Sequence, residues 1–199
     1  IAGISAAYYL AVKKGMRNVV MIDERAPLTL TSDKSMECYR NWWPGPNDHM
    51  VCFMNRSIDL MEELARETDN LIHLNRRSYL FMTGDKDRID KIRDTAAEIS
   101  CLGAGPLRIH EDGSKTSDYA PSPAWGFENQ DSGADLLLDK QIIAKHYPYI
   151  SHEVAAALHV RRGGWFSAQQ MGMYMLEQIL DHGVRILKSK VTGIVLKSG

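Results

Sequence analysis

Ile1-Ala2-Gly3-Ile4-Ser5-Ala6-Ala7-Tyr8-Tyr9-Leu10-Ala11 opens the chain, and Val19-Val20-Met21-Ile22-Asp23 follows shortly after. The first stretch places Ile4, Ala7, Leu10 and Ala11 on one face, which predicts a helix over residues 4–14. Gly15 ends that helix, and Lys13-Lys14 suit the negative end of its dipole. The second stretch is a continuous apolar run ending on an acid, and it reads as a fully buried strand over 18–23. Together they form the back half of a dinucleotide-binding βαβ unit. Gly3 stands where the last glycine of G-x-G-x-x-G belongs, and Asp23, 20 residues on, where the ribose-binding acid belongs. The strand and the two glycines that would complete the motif are missing, so a piece of a longer protein is expected.

Composition narrows the classes. The 199 residues suffice for a sizeable core, in one large domain or parts of two. With 44% hydrophobic and 25% charged residues the chain reads as an ordinary globular protein. A net charge of −1 gives no electrostatic case for nucleic acid or an acidic membrane surface. No apolar run approaches the roughly 18–20 residues of a membrane span. The first residues lack the basic region of a signal peptide. A cytoplasmic location is expected, or a mitochondrial matrix one if a targeting sequence precedes Ile1. Cys38, Cys52 and Cys101 fit no metal spacing, and no histidines are spaced as H-x-x-x-H, so reduced thiols and no metal are expected.

Further along, residues 24–46 read mostly as loop. Residues 47–68 form a long amphipathic helix, with Met50, Val51, Met54, Ile58, Met61 and Leu64 at spacings of three and four. A strand is expected over 72–83 and a charged helix over 85–101. Residues 104–135 are rich in Gly and Pro turns and read as an excursion with one short strand at Leu107-Arg108-Ile109, the internal segment expected to move most. A short helix over 139–146, strands near 155–161 and 164–166, a helix over 168–182 and a last strand over 184–195 complete the reading.

Asp23 sits at the carboxyl end of its strand, where side chains meet ligand in an open α/β sheet. Its carboxylate can accept hydrogen bonds from both ribose hydroxyls, and it disfavours a 2′-phosphate. Glu24 is the neighbouring alternative. The loop Thr31-Ser32-Asp33-Lys34-Ser35-Met36-Glu37-Cys38-Tyr39-Arg40 offers hydroxyls and cations suited to a pyrophosphate, with Ser32, Ser35 and Arg40 as the candidates. Trp42 and Trp43 read as anchors of the long helix, with contact to a flat ring as the alternative. Arg76, Arg77, Arg161 and Arg162 read as surface cations, with a role towards a carboxylate as the alternative.

The chain resembles the FAD-dependent oxidoreductases of the D-amino-acid oxidase superfamily, which includes glycine, sarcosine, dimethylglycine and proline oxidases or dehydrogenases. The resemblance rests on residues 1–10, on Val20-Met21-Ile22-Asp23, and on the Ser- and Arg-containing loop to Arg40. It also rests on Gly164-Trp165-Phe166-Ser167 with the helix after it and on residues 183–194. It implies an α/β fold in which a Rossmann-like FAD-binding βαβ domain carries an inserted, sheet-based substrate domain. Residues 1–70 and 167–199 would belong to the first and 71–166 mainly to the second. FAD would be the cofactor and a small amine or amino acid the substrate. Gly3 would face the pyrophosphate, Asp23 the adenosine ribose, Ser32 and Ser35 the phosphates or ribityl chain, and the Val191 backbone the adenine. Some relatives attach flavin covalently to a histidine in the loop before the long helix, where Cys38 is the nearest match. No catalytic residue follows from the resemblance. Two alternatives stand beside this reading: a flavin-binding assembly protein without turnover, and an NAD-dependent dehydrogenase, which leaves the Ser/Arg loop unexplained.

Overall fold

A computed structural model describes residues 1–111 and 119–196. Helix α1 spans Ala2–Tyr8 and runs on as a wider π turn over Tyr9–Lys13. Strand β1 (Val20–Asp23) and a single helical turn, α2 (Thr31–Lys34), follow. Next come β2 (Cys38–Arg40), α3 (His49–Glu67), β3 (Tyr79–Thr83), α4 (Ile89–Ile99) and β4 (Leu107–His110). After them lie β5 (Ala134–Leu137), α5 (Lys140–His146), β6 (Ala156–Val160) and β7 (Gly163–Trp165). Helix α6 (Ala168–Asp181) and β8 (Arg185–Lys188) end the series. These elements cluster into two compact units, one made of Ile1–Glu37 and Ser167–Gly199, the other of Cys38–Phe166.

In the first unit β1 and β8 pair in parallel, from Val20 opposite Arg185 to Asp23 opposite Lys188. Helices α1 and α6 pack on each other. Ile4, Ala7 and Tyr8 are the buried residues of α1; Met171, Gly172, Met175 and Ile179 are among those of α6. Both sets recur at three and four, the spacing of a helix stripe. The Ser167 hydroxyl caps α6 by accepting from the Gln170 N–H at 3.2 Å. Gly183, at φ 79°, ends the helix in the left-handed conformation glycine adopts without strain. The expected full burial of strand 18–23 is not found: Ile22 and Asp23 are exposed. Among the described residues β1 has one strand partner, β8, so its other edge lacks the neighbour that would enclose it. The strand expected over 184–195 stops at Lys188. Beyond it no ladder forms among the described residues, and Val191, Ile194, Val195 and Leu196 are exposed.

The second unit is built on a four-stranded sheet in the order β3-β6-β5-β4, with β4 and β5 parallel and the other pairs antiparallel. Strand alternation gives the sheet two distinct faces. Ala134, Leu136, Ala156, Leu158 and Val160 pack with Trp42, Val51, Ala96 and Ile99, so α3 and α4 contribute to that core. Leu137 and Ala157 pack instead with Tyr119, Ile143 and Tyr147. The units part between Glu37 and Cys38, whereas the sequence reading places the junction at 70; Val51 of α3 is wholly buried in the second unit's core.

A smaller antiparallel pair joins β2 to β7. Asn75 adds a bridge to Trp165 through two backbone hydrogen bonds of 3.0 and 3.2 Å. The strand expected over 72–83 is confined to Tyr79–Thr83. Its earlier part is a buried loop with left-handed turns at His73 and Ser78, and the burial of Ile72 and Leu74 produces the apolar alternation. The excursion at 104–135 holds β4 as expected and also β5 at its end, while residues 112–118 lie outside the described ones.

Candidate functional site

The first unit carries six of the residues singled out in the sequence. Gly3 is exposed in the first turn of α1, and a Cβ built there would meet nothing within 4 Å. The helix start is therefore open on that side. The Ser32 hydroxyl accepts from the Ile1 amino group at 3.2 Å, which sets α2 beside the beginning of α1. The Gln169 side chain ties the same loop to α6, donating to the Leu28 carbonyl and to Asp33, each at 3.1 Å. Ser35 turns the chain locally: its Oγ accepts from the Glu37 N–H at 3.0 Å.

Asp23 ends β1 with an exposed side chain, and its Oδ1 accepts from the Arg25 N–H at 2.9 Å. Its backbone carbonyl accepts from the Ser189 N–H at 3.0 Å, which draws the segment after β8 to the strand end. Glu24 lies 3.9 Å from both Arg25 and Lys190, so it stands next to the residue preceding Val191. The structure thus forms two groups within this unit: Gly3 with Ser32, and Asp23 with Glu24 and the approach to Val191. An open helix start with a hydroxyl beside it suits an anionic phosphate. An exposed carboxylate at a strand end suits sugar hydroxyls. The residues present fit a dinucleotide.

Arg40 belongs to the second unit. Its guanidinium lies 4.2 Å from the Trp43 ring centroid, 4.8 Å from that of Tyr79 and 5.4 Å from that of Phe81. The Trp43 indole in turn donates to the Arg40 carbonyl at 3.0 Å. Trp42 is buried in the core, as the anchoring reading expects. Two arginines read as surface cations, Arg76 and Arg161, are buried instead. Arg76 donates from Nη2 to the Asp131 carbonyl at 2.7 Å. Burial lowers its pKa, against the attraction of Glu62. Arg162 is also largely enclosed, donating to Asn55 at 3.1 Å and Asp59 at 2.5 Å on α3.

The main polar feature that sequence reasoning missed is centred on Asp135. Its carboxylate accepts from Arg108 at 2.7 and 2.9 Å, from Arg161 at 2.5 Å, and lies 2.9 Å from His110 Nε2. Burial by itself would raise this carboxyl. The hydrogen bonds from Arg108, Arg161 and His110 outweigh burial and hold it well below the usual range. On the adjacent strand His159 is fully buried and pushed down to about 3, first by burial and then by Arg161. Tyr119 Oη lies 2.8 Å from its Nδ1 and also contacts Tyr147, while Ser122 Oγ is 3.4 Å from its Nε2. Burial raises the Tyr119 phenol above its ordinary value. The one signal in the sequence is local: Asp135 and His159 each interrupt an apolar run, Ala134–Leu138 and Ala155–Val160.

No disulfide joins Cys38, Cys52 or Cys101, all of them exposed. Among the described residues no helix is long and apolar enough to cross a membrane.

No curated protein sequence matches the chain. L-proline dehydrogenase from P. horikoshii shares the fold with a TM-score of 0.72 and 16% identity, over 98% of this chain and 43% of that one. Glycine oxidase from Bacillus cereus ATCC 14579 does so at 0.70 and 14%, over 98% and 46%. Iminodiacetate oxidase from Chelativorans sp. BNC1 gives 0.63 and 18%, over 92% and 43%. The chain thus spans less than half the length of these solved structures. The sequence pattern of the family described as FAD dependent oxidoreductase (DAO) matches residues 1–199. The chain belongs to that FAD-dependent oxidoreductase family.

Proposed function

We propose that the protein bearing this chain oxidises a small amine or amino acid, with FAD as its cofactor. The observation that carries the cofactor reading is Asp23, exposed at the carboxyl end of β1, its Oδ1 accepting from its own turn and its Oδ2 without a hydrogen bond among the described residues. Support for the substrate class comes from family membership and from the similar folds of proline dehydrogenase, glycine oxidase and iminodiacetate oxidase. When bound, FAD would supply the acceptor for a hydride leaving the carbon next to the substrate nitrogen. The chain's own task is to hold that cofactor. Asp23 receives the ribose hydroxyls, with Glu24 as the neighbouring acceptor. Gly3 leaves the helix start open to the pyrophosphate. Ser32 and Ser35 donate towards the phosphates or the ribityl chain, and the Val191 backbone meets the adenine. Arg40 is proposed as a further cofactor contact on the hydroxyl- and cation-bearing composition of its loop.

The rest of the proposal is architectural. The first unit acts as a Rossmann-like FAD-binding domain, interrupted in sequence by a sheet-based substrate domain within Cys38–Phe166. Substituting Asp23→Ala should weaken FAD binding by about 1.5–3 kcal/mol, the range for hydrogen bonds to a charged group. Titration of the apo-protein with FAD, followed by flavin fluorescence, measures this. Unchanged affinity would remove Asp23 from the cofactor site. Flavin reduction by a panel of glycine, sarcosine and proline tests the substrate class. A flavin-loaded protein that no amine reduces would favour the non-catalytic alternative.

A further inference from the structure

Beside the Asp135 network the second unit has a cleft of about 160 Å³, lined by Ser122, Asn129, Gln130, Asp131 and Arg161 among others. A cavity of about this size holds a molecule of roughly six heavy atoms. Its walls present two opposite demands. Arg161 is 7% exposed and bonds Asp135 through Nε, with its guanidinium 5.2 Å from the Tyr119 ring. That leaves its terminal N–H groups without a hydrogen-bond partner among the described residues. Asp135 already serves Arg108 as well, so two guanidinium ions share one carboxylate and the Arg161 side of the cleft is positive. An anion is the complement.

The second demand is for a donor. Gln130 gives its amide N–H to the Gly126 carbonyl at 3.0 Å, which fixes the orientation of the amide. Its Oε1 is then buried with no hydrogen-bond partner. An orphaned buried carbonyl is costly unless an N–H or O–H reaches it. Asp131 adds a carboxylate at the same cleft, and its backbone is held by Arg76. A cation is the complement of this side.

We propose that the cleft binds a small zwitterionic amino acid, its carboxylate on Arg161 and Ser122 and its ammonium on Gln130 Oε1 and Asp131. Ser122 links the ligand to His159. When its hydroxyl donates to a carboxylate, its oxygen accepts from His159 Nε2–H, and Nδ1 then accepts from Tyr119. Binding therefore selects one tautomer of His159. The inference rests on the chemistry of the cleft and not on the flavin reading, and its readout is local to His159.

The test uses the purified protein with ¹⁵N-labelled histidine, titrated separately with glycine, acetate and methylamine. The His159 ring signals are identified by their loss in His159→Gln. Glycine should shift them saturably, with acetate and methylamine at least about tenfold weaker. Ser122→Ala and Gln130→Leu, which line the cleft without joining the Asp135 ion pairs, should each weaken glycine about tenfold. Arg161→Lys should abolish the response; if that variant fails to fold, the other two decide. No saturable shift up to about 100 mM glycine would overturn the proposal. So would equal binding of acetate, or glycine affinity unchanged in both Ser122→Ala and Gln130→Leu.

Discussion

Asp135 shows how one side chain can organise a sheet face. It sits on β5, and strand register brings Arg108 of β4 and His159 of β6 directly alongside. Removing its charge strands Arg161 in a buried place. Asp135→Ala should therefore cost about 3–5 kcal/mol, the range for breaking a buried ion pair by deleting one partner. Urea unfolding would show it; a loss under about 1 kcal/mol would mean that solvent reaches the pair. His159 adds a pH dependence. Its folded pKa, about 3, lies below the ordinary 6.5, so the unfolded chain binds more protons between those values. Stability should be full above about pH 6.5 and fall, by up to about 1.4 kcal/mol per pH unit, as pH drops towards 3. Asp135 extends the decline, because its depressed pKa contributes stability that is lost below the unfolded value near 3.8. Urea midpoints from pH 7 to 4 measure the slope, and His159→Gln should flatten it above pH 4.5. An unchanged slope in that variant would assign the acid sensitivity to other groups. The helix start at Gly3 and the strand end at Asp23 were legible in the sequence because their relation is a local spacing along one helix and one strand. The Asp135 network was not, because Arg108, His110 and Arg161 lie 25 to 27 residues from Asp135 and meet it only through sheet register.

At the scale of elements, the helices were readable and the strand ends were not. α3, α4 and α6 carry long apolar stripes at spacings of three and four, which tertiary context seldom overrides. Residues 72–75 carry an alternating pattern too, yet left-handed turns at His73 and Ser78 keep them out of the ladder. What holds this loop is its close approach to β7. A Cβ on Gly164 would lie 1.9 Å from the Asn75 carbonyl oxygen, which is backbone and cannot swing away. Gly164→Ala should push the bridge between Asn75 and Trp165 apart and destabilise the protein by at least about 1–3 kcal/mol. Hydrogen exchange at the Asn75 and Trp165 amides reads the local effect. Retained protection together with wild-type stability would show that the loop shifts freely, contrary to the packing of Leu74 and Asn75.

At the scale of the whole molecule, what remains uncovered is as informative as what is buried. Val191, Ile194, Val195 and Leu196 are 60–89% exposed in one short segment after β8. β1 has a second edge with no strand partner among the described residues, and β3 is likewise at the edge of its sheet. Phe81 and Met82 on β3 are exposed beside that edge. Single exposed apolar side chains are ordinary, but a contiguous apolar segment together with open strand edges promotes pairing with another chain. The net charge of −1 supplies almost no long-range repulsion to oppose contact. The 199-residue chain should therefore associate as its concentration rises. Sedimentation velocity across a hundredfold concentration range would show a growing weight-average mass. Replacing Ile194, Val195 and Leu196 together by Ser should shift that growth to higher concentration, because the segment contributes apolar area and none of the described core. A chain that stays monomeric throughout would mean that these residues and strand edges are covered within a single molecule.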